Sequence, residues 1–129
     1  MLLSDIREYL KIQIECPQYY LNKLGGTQEN SITIYNSVGP QPHIAIGGLQ
    51  NTIYTTKSIS LLVRWGKNSD TAEKKAMEVY NLFFGKNNFT IGNKKIIQCK
   101  MRSSYPICLG IDSEGVIEYV IDMIIYYER

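Results

Sequence analysis

His43 is the only histidine in the 129 residues. A triad built on imidazole would have to use it, and a metal site needing two imidazoles has no second ligand. It follows Pro40-Gln41-Pro42 in a loop-like stretch, where a surface or hydrogen-bonded histidine is a plainer expectation than a general base. Cys16, Cys99 and Cys108 have no C-x-x-C spacing. Cys99 and Cys108 stand in apolar, strand-like runs and are expected to be small buried side chains. The pairs Gly25-Gly26 and Gly47-Gly48 lack the lysine and hydroxyl of a phosphate loop and the G-x-G-x-x-G spacing of a dinucleotide site, so turns account for them. Asp112, Glu114, Glu118 and Asp122 are the densest carboxylates and have the chemistry for a divalent ion. The first two stand where a turn favours such residues, and the other two should face outward from a strand. No catalytic residue, cofactor or metal ion is expected. Lys94, Lys95, Lys100 and Arg102, with Arg64 placed near them, form the one basic grouping. It reads as a solvated sheet edge, where lysines discourage stray pairing, or alternatively as a surface for a phosphate backbone in a small nucleic-acid-binding protein.

Composition narrows the classes further. With 44% hydrophobic and 20% charged residues the chain is an ordinary globular sequence, sized for one domain over residues 1–129. A formal charge of +2, from 14 basic and 12 acidic residues, gives no electrostatic argument for nucleic acid or a membrane surface. Ten tyrosines suit half-buried strands or surfaces that a partner covers. The opening residues lack the pattern of a secretory signal, and no apolar run reaches membrane-helix length, so synthesis in a cytoplasm with reduced thiols is expected.

The elements that must carry these residues can be traced from periodicity. Leu3, Ile6 and Leu10 have helical spacing over residues 2–12, with Ser4 or Asp5 available to cap, and Cys16-Pro17 stops the helix. Short strands are expected at 19–21, 32–35 and 43–46, separated by glycine and proline. Residues 58–65 alternate as a strand. Residues 69–84 carry Ala72, Ala76, Val79, Tyr80 and Phe83 on one helical stripe, with Asp70 and Glu73 resembling a capping box and Gly85 the stop. A hairpin should join 89–91 to 94–102 through Gly92-Asn93, and a second should join 106–111 to 116–127. In that last strand Ile117, Tyr119, Ile121, Met123, Ile125 and Tyr127 share one face, which is core-like. Twelve residues span roughly 40 Å, so the strand is expected to outrun its sheet or bend across it. The order implies an α+β fold, a mainly antiparallel sheet with two α-helices packed on one face.

Several strings carry a resemblance: Met1-Leu2-Leu3-Ser4-Asp5-Ile6, Ser60-Leu61-Leu62-Val63-Arg64-Trp65-Gly66-Lys67-Asn68, Ala72-Glu73-Lys74-Lys75-Ala76, Lys100-Met101-Arg102-Ser103-Ser104-Tyr105-Pro106 and Glu118-Tyr119-Val120-Ile121. Together they resemble the minor capsid proteins of tailed phages and prophages of Gram-positive bacteria, a group similar to tail terminator (head–tail joining) proteins. The resemblance implies a virion protein without catalysis, forming a homo-oligomeric ring, hexameric in the tail terminators. Such a ring caps the tail tube, touching the tail tube protein on one side and the head–tail connector on the other. Nucleic acid would meet it only through the ring lumen. Ring contacts are expected from the loops at 28–42 and 47–56, the hairpin around Gly92 and the outer face of the last strand. The residues concerned are Asn36, Pro40, His43, Gly47, Asn51, Tyr54, Arg64, Lys94, Lys100, Arg102, Glu118, Asp122 and Tyr126.

Overall fold

The computed structural model describes residues 1–23 and 28–129, so the Gly25-Gly26 turn lies outside the described residues. The elements run α1 (Leu3–Gln13), β1 (Gln18–Leu21), β2 (Ser31–Asn36), β3 (Tyr54–Arg64), α2 (Ser69–Phe83), β4 (Asn87–Ile91), β5 (Lys94–Met101), β6 (Ile107–Ile111) and β7 (Ile117–Glu128). All seven strands join one sheet in the order β1-β2-β3-β7-β5-β4, with β6 also paired to β7. Only β1 and β2 run parallel. The fold is α+β, as the sequence implied.

Strand β7 is paired along both edges. On one side β3 accompanies it from Tyr54 opposite Glu128 to Arg64 opposite Glu118. On the other, β5 covers Met123 to Tyr127 and β6 covers Ile117 to Val120. The bend between β5 and β6 stays on the edge, since the Arg102 N–H donates to the Asp122 carbonyl at 3.0 Å. The expectation that this strand overhangs its sheet is therefore corrected. Two features absorb its length: β3 begins at Tyr54, four residues before the sequence pattern starts, and β5 and β6 act as one interrupted partner.

The helices lie on one face. The stripe Ala72, Ala76, Val79, Tyr80 and Phe83 is the buried side of α2, and Leu3, Ile6 and Leu10 are that of α1. They meet Ile32, Ile34, Ile59, Leu61, Val63, Ile121, Met123 and Ile125 from the central strands. Each fully buried aliphatic or aromatic side chain contributes about 1.5–3 kcal/mol. Helix α1 ends against Tyr19, whose hydroxyl donates to the Ile14 carbonyl at 2.6 Å, answering a carbonyl the helix leaves free. Burial pushes the ionisation of that hydroxyl upward.

Two local expectations change, and that for the start of α1 narrows to Asp5. Asn68, not Asp70, caps α2: its side-chain oxygen accepts the Thr71 N–H at 3.1 Å. At α1, Asp5 acts from inside the first turn, accepting the Leu2 N–H at 2.8 Å. Residues 43–46 form no strand, because the segment has no neighbour to pair with. Gly85 does take the left-handed conformation, with φ 73°.

Phe83→Ala should destabilise the protein by about 3–5 kcal/mol and Asn68→Ala by about 1 kcal/mol in urea unfolding. Equal losses at the two positions would contradict this assignment of core and cap.

Candidate assembly surface

Arg64 closes β3 on the face away from the helices, and it is only 2% exposed. Its guanidinium donates to Asp112, lies 3.5 Å from Glu118 through Nε and 3.9 Å from Glu114 through Nη2, and donates through Nη1 to the Gln28 carbonyl at 2.6 Å. Asp112 in turn accepts the N–H groups of Glu114 and Val116 at 2.8 and 2.9 Å, which fixes the turn from β6 into β7. The hydrogen bond from Arg64, helped by those backbone donors, holds the Asp112 carboxyl below its ordinary value. The carboxylates that sequence singled out for a cation thus surround an internal one. Arg64 does not join the basic hairpin; it stands with the acidic turn, and no side chain of it reaches the surface.

Asp122 is likewise engaged, accepting a hydrogen bond from Ser60 directly across the sheet. Burial raises the ionisation of Tyr35, the next residue along that row. Of the basic group, Lys95 and Lys100 are exposed, Lys94 is half-buried, Lys95 lies 3.9 Å from Glu128, and Arg102 donates to the Val38 carbonyl at 2.5 Å. Tyr126 is half-buried and packs 5.9 Å from Tyr54. Cys99 is buried, as expected, and its thiol is pushed up to about 12 by that burial. Cys108 is not: it is exposed on β6, an edge strand that nothing covers.

Between β2 and β3 the chain forms an arm, residues 37–53. Its base is tied to the sheet by the Ser37 N–H donating to the Ser58 carbonyl at 3.0 Å and the Arg129 N–H donating to the Ile53 carbonyl at 3.2 Å. Gly39 passes so close to Ser58 that a Cβ would fall 1.8 Å from its hydroxyl. The tip folds on itself. Gly47, at φ 104°, turns beneath Asn51, while the Thr52 hydroxyl accepts the Ala45 N–H at 2.9 Å and donates to the Gly48 carbonyl at 3.1 Å. His43 is exposed and stacks on Tyr54 with ring centroids 5.9 Å apart. Pro40, Gly47 and Asn51 are exposed along the same arm, and Asn36 is exposed at the end of β2 where the arm begins.

Exposed apolar side chains concentrate in two places. Of twelve large ones among the described residues, five belong to the arm (Val38, Ile44, Ile46, Leu49, Ile53) and four to β6 and its approach (Tyr105, Ile107, Leu109, Ile111). Strand β6 is open on both faces as well as along its outer edge. Sequence reasoning named the arm but missed β6. The signal was present as charge: residues 30–56 and 103–111 contain no Asp, Glu, Lys or Arg. A hollow of about 360 Å³ lies nearby, lined by residues including Tyr80, Phe84, Cys99 and Met101, but no carboxylate or imidazole borders it.

An apolar, uncharged surface of this kind is one that a protein partner covers. The model of one family, described as bacteriophage tail terminator protein, matches residues 6–129. The chain belongs to the bacteriophage tail terminator family. It is a structural component of a phage virion, a family that works through contacts with other tail and head components. No curated protein matches the chain. For this tail terminator, no observation favours the nucleic-acid alternative. Arg64 is buried, and Lys95 and Arg102 have partners within the subunit.

Replacing the buried cation by Arg64→Ala should cost about 3 kcal/mol, since it strands the acidic turn. Asp112 binds its proton less readily folded than unfolded, so its contribution is present above the ordinary carboxylate range, about pH 4, and is lost as pH falls through the lower folded value. Thermal midpoints should therefore drop more steeply below about pH 4 in the wild type than in Asp112→Asn. Parallel curves for the two proteins would rule that linkage out.

Proposed function

We propose that the chain folds as one domain over residues 1–129 and acts as the ring-forming subunit, hexameric in the family it resembles, that caps a phage tail tube at the head–tail junction. One side of the ring meets the tail tube protein and the other meets the head–tail connector. Family membership supports the role. The observation that carries the assembly reading is β6, a strand without charge that is open on both faces and along one edge. A monomer gains nothing by displaying such a strand, and burying it between subunits removes apolar surface from water without desolvating a charge. A ring needs the head-to-tail kind of contact, in which two different patches of one subunit meet. The arm and β6 are two such patches. The candidate residues on the arm (Pro40, His43, Gly47, Asn51) and at its root (Asn36, Tyr54) lie where a neighbour can reach them. Lys94, Lys100, Arg102 and Tyr126 line the outer part of the sheet beside them.

Negative-stain images of purified tail tubes with and without the protein test the role. A ring at one tube end, with elongation stopped, is expected. Tubes that keep elongating with bare ends would refute it, and binding to duplex DNA that weakens steeply with salt would instead favour the nucleic-acid class.

A further inference from the structure

Residues 43–46, His43-Ile44-Ala45-Ile46, have the composition of a strand yet pair with no strand among the described residues. Strand β6 has an edge that no strand occupies. We infer that these two vacancies answer each other between copies: residues 43–45 of one subunit, just before the turn at Ile46, add as a strand to the free edge of β6 in the next. This rests on the ring reading and specifies its contact.

Four observations select a second copy as the occupant. Both segments lack charge, so joining them strands no ion in an apolar interface. Both expose large apolar side chains, Ile44 and Ile46 on the arm and Ile107, Leu109 and Ile111 along β6. The backbone of the arm is also ready for it. Ala45 is engaged on the inner side, its N–H by Thr52 and its carbonyl by the Gly48 N–H at 3.0 Å, while Ile44 and Ile46 make no backbone hydrogen bond among the described residues. The Gly48 N–H bond to the Ala45 carbonyl closes a turn through Ile46 and Gly47, so the stretch open to pairing ends at Ala45, and Ile44, directed to the side opposite Ala45, is the residue whose backbone groups a new strand can use. Finally, the two segments cannot meet within one chain. His43 stacks on Tyr54 and so holds residues 43–46 at the Tyr54 and Arg129 end of the sheet, whereas β6 begins opposite Val120. The positions of Glu128 and Val120 on β7 are separated by roughly 26 Å at 3.3 Å per residue. Two different patches at opposite ends of one molecule make a head-to-tail contact, the geometry that closes into a ring when the rotation between subunits allows it. Bridging by main-chain hydrogen bonds also accounts for the absence of charged specificity at either patch.

The exposed thiol of Cys108 on β6 supplies the test. Single cysteines at Ile44, Ala45, Ile46 and Gly47 are introduced in turn, and each protein is oxidised with copper phenanthroline in the presence of purified tail tubes. A ladder of disulfide-linked oligomers is expected for at least one position, absent when Cys108→Ser is combined with it. The exposed variants Ile46→Asp and Leu109→Lys should keep the wild-type thermal midpoint and weaken ring formation about tenfold or more. Rings at tube ends that form normally in both variants, with no ladder at any position, overturn the inference while leaving the ring reading intact. Leu109→Lys rings that form but no longer hold the tube would assign β6 to the tail tube protein and also overturn it. A wild-type protein that never caps tubes removes the ring reading itself, and this contact with it.

Discussion

Everything in this molecule is arranged around a strand whose two edges are both in use. β7 holds β3 along one side and β5 followed by β6 along the other, so its backbone groups are answered inside the subunit from Ile117 to Glu128. Its helix-facing residues Ile121, Met123 and Ile125 are the floor on which α2 rests. Because the centre is closed, anything that the subunit offers to others must come from the periphery. The free strand edges are at β1, β4 and β6, and of these only β6 is apolar at nearly every position.

Much of the fold was legible in the sequence because period decides it. The α2 stripe, the α1 stripe and the alternation in β7 each place apolar residues at the spacing of one element type, and each turned out to be the buried set. Partnership was less legible. Residues 43–46 carry a strand's composition without a strand's neighbour, and Tyr54 to Lys57 look unpatterned yet pair fully with Ile125 to Glu128. Pairing is a property of two segments far apart in the chain, and a local pattern reports only one of them.

Arg64 shows the same limit for charge. In sequence it stands among apolar residues on a strand, with the lysine hairpin as the tempting company. In space the register of β3 on β7 sets it opposite Glu118, and the tight turn after β6 brings Asp112 and Glu114 to it. A cation that is 2% exposed is tolerable only with such partners. The acidic turn and the buried arginine are therefore one unit, and the carboxylates of that turn are directed at an internal cation.

The bulge in β6 has a kinetic meaning. The register against β7 shifts between Cys108 and Gly110, and Gly110 adopts φ 108°, so the strand is broken after two residues and resumes for two more. An incoming strand finds only short straight segments to match, and each segment alone holds weakly. In the proposed ring, contacts of that size would dissociate readily when a subunit arrives at the wrong angle and would persist where several close together. The same interruption shortens the straight template that an open apolar edge offers to a further strand, which works against an endless sheet.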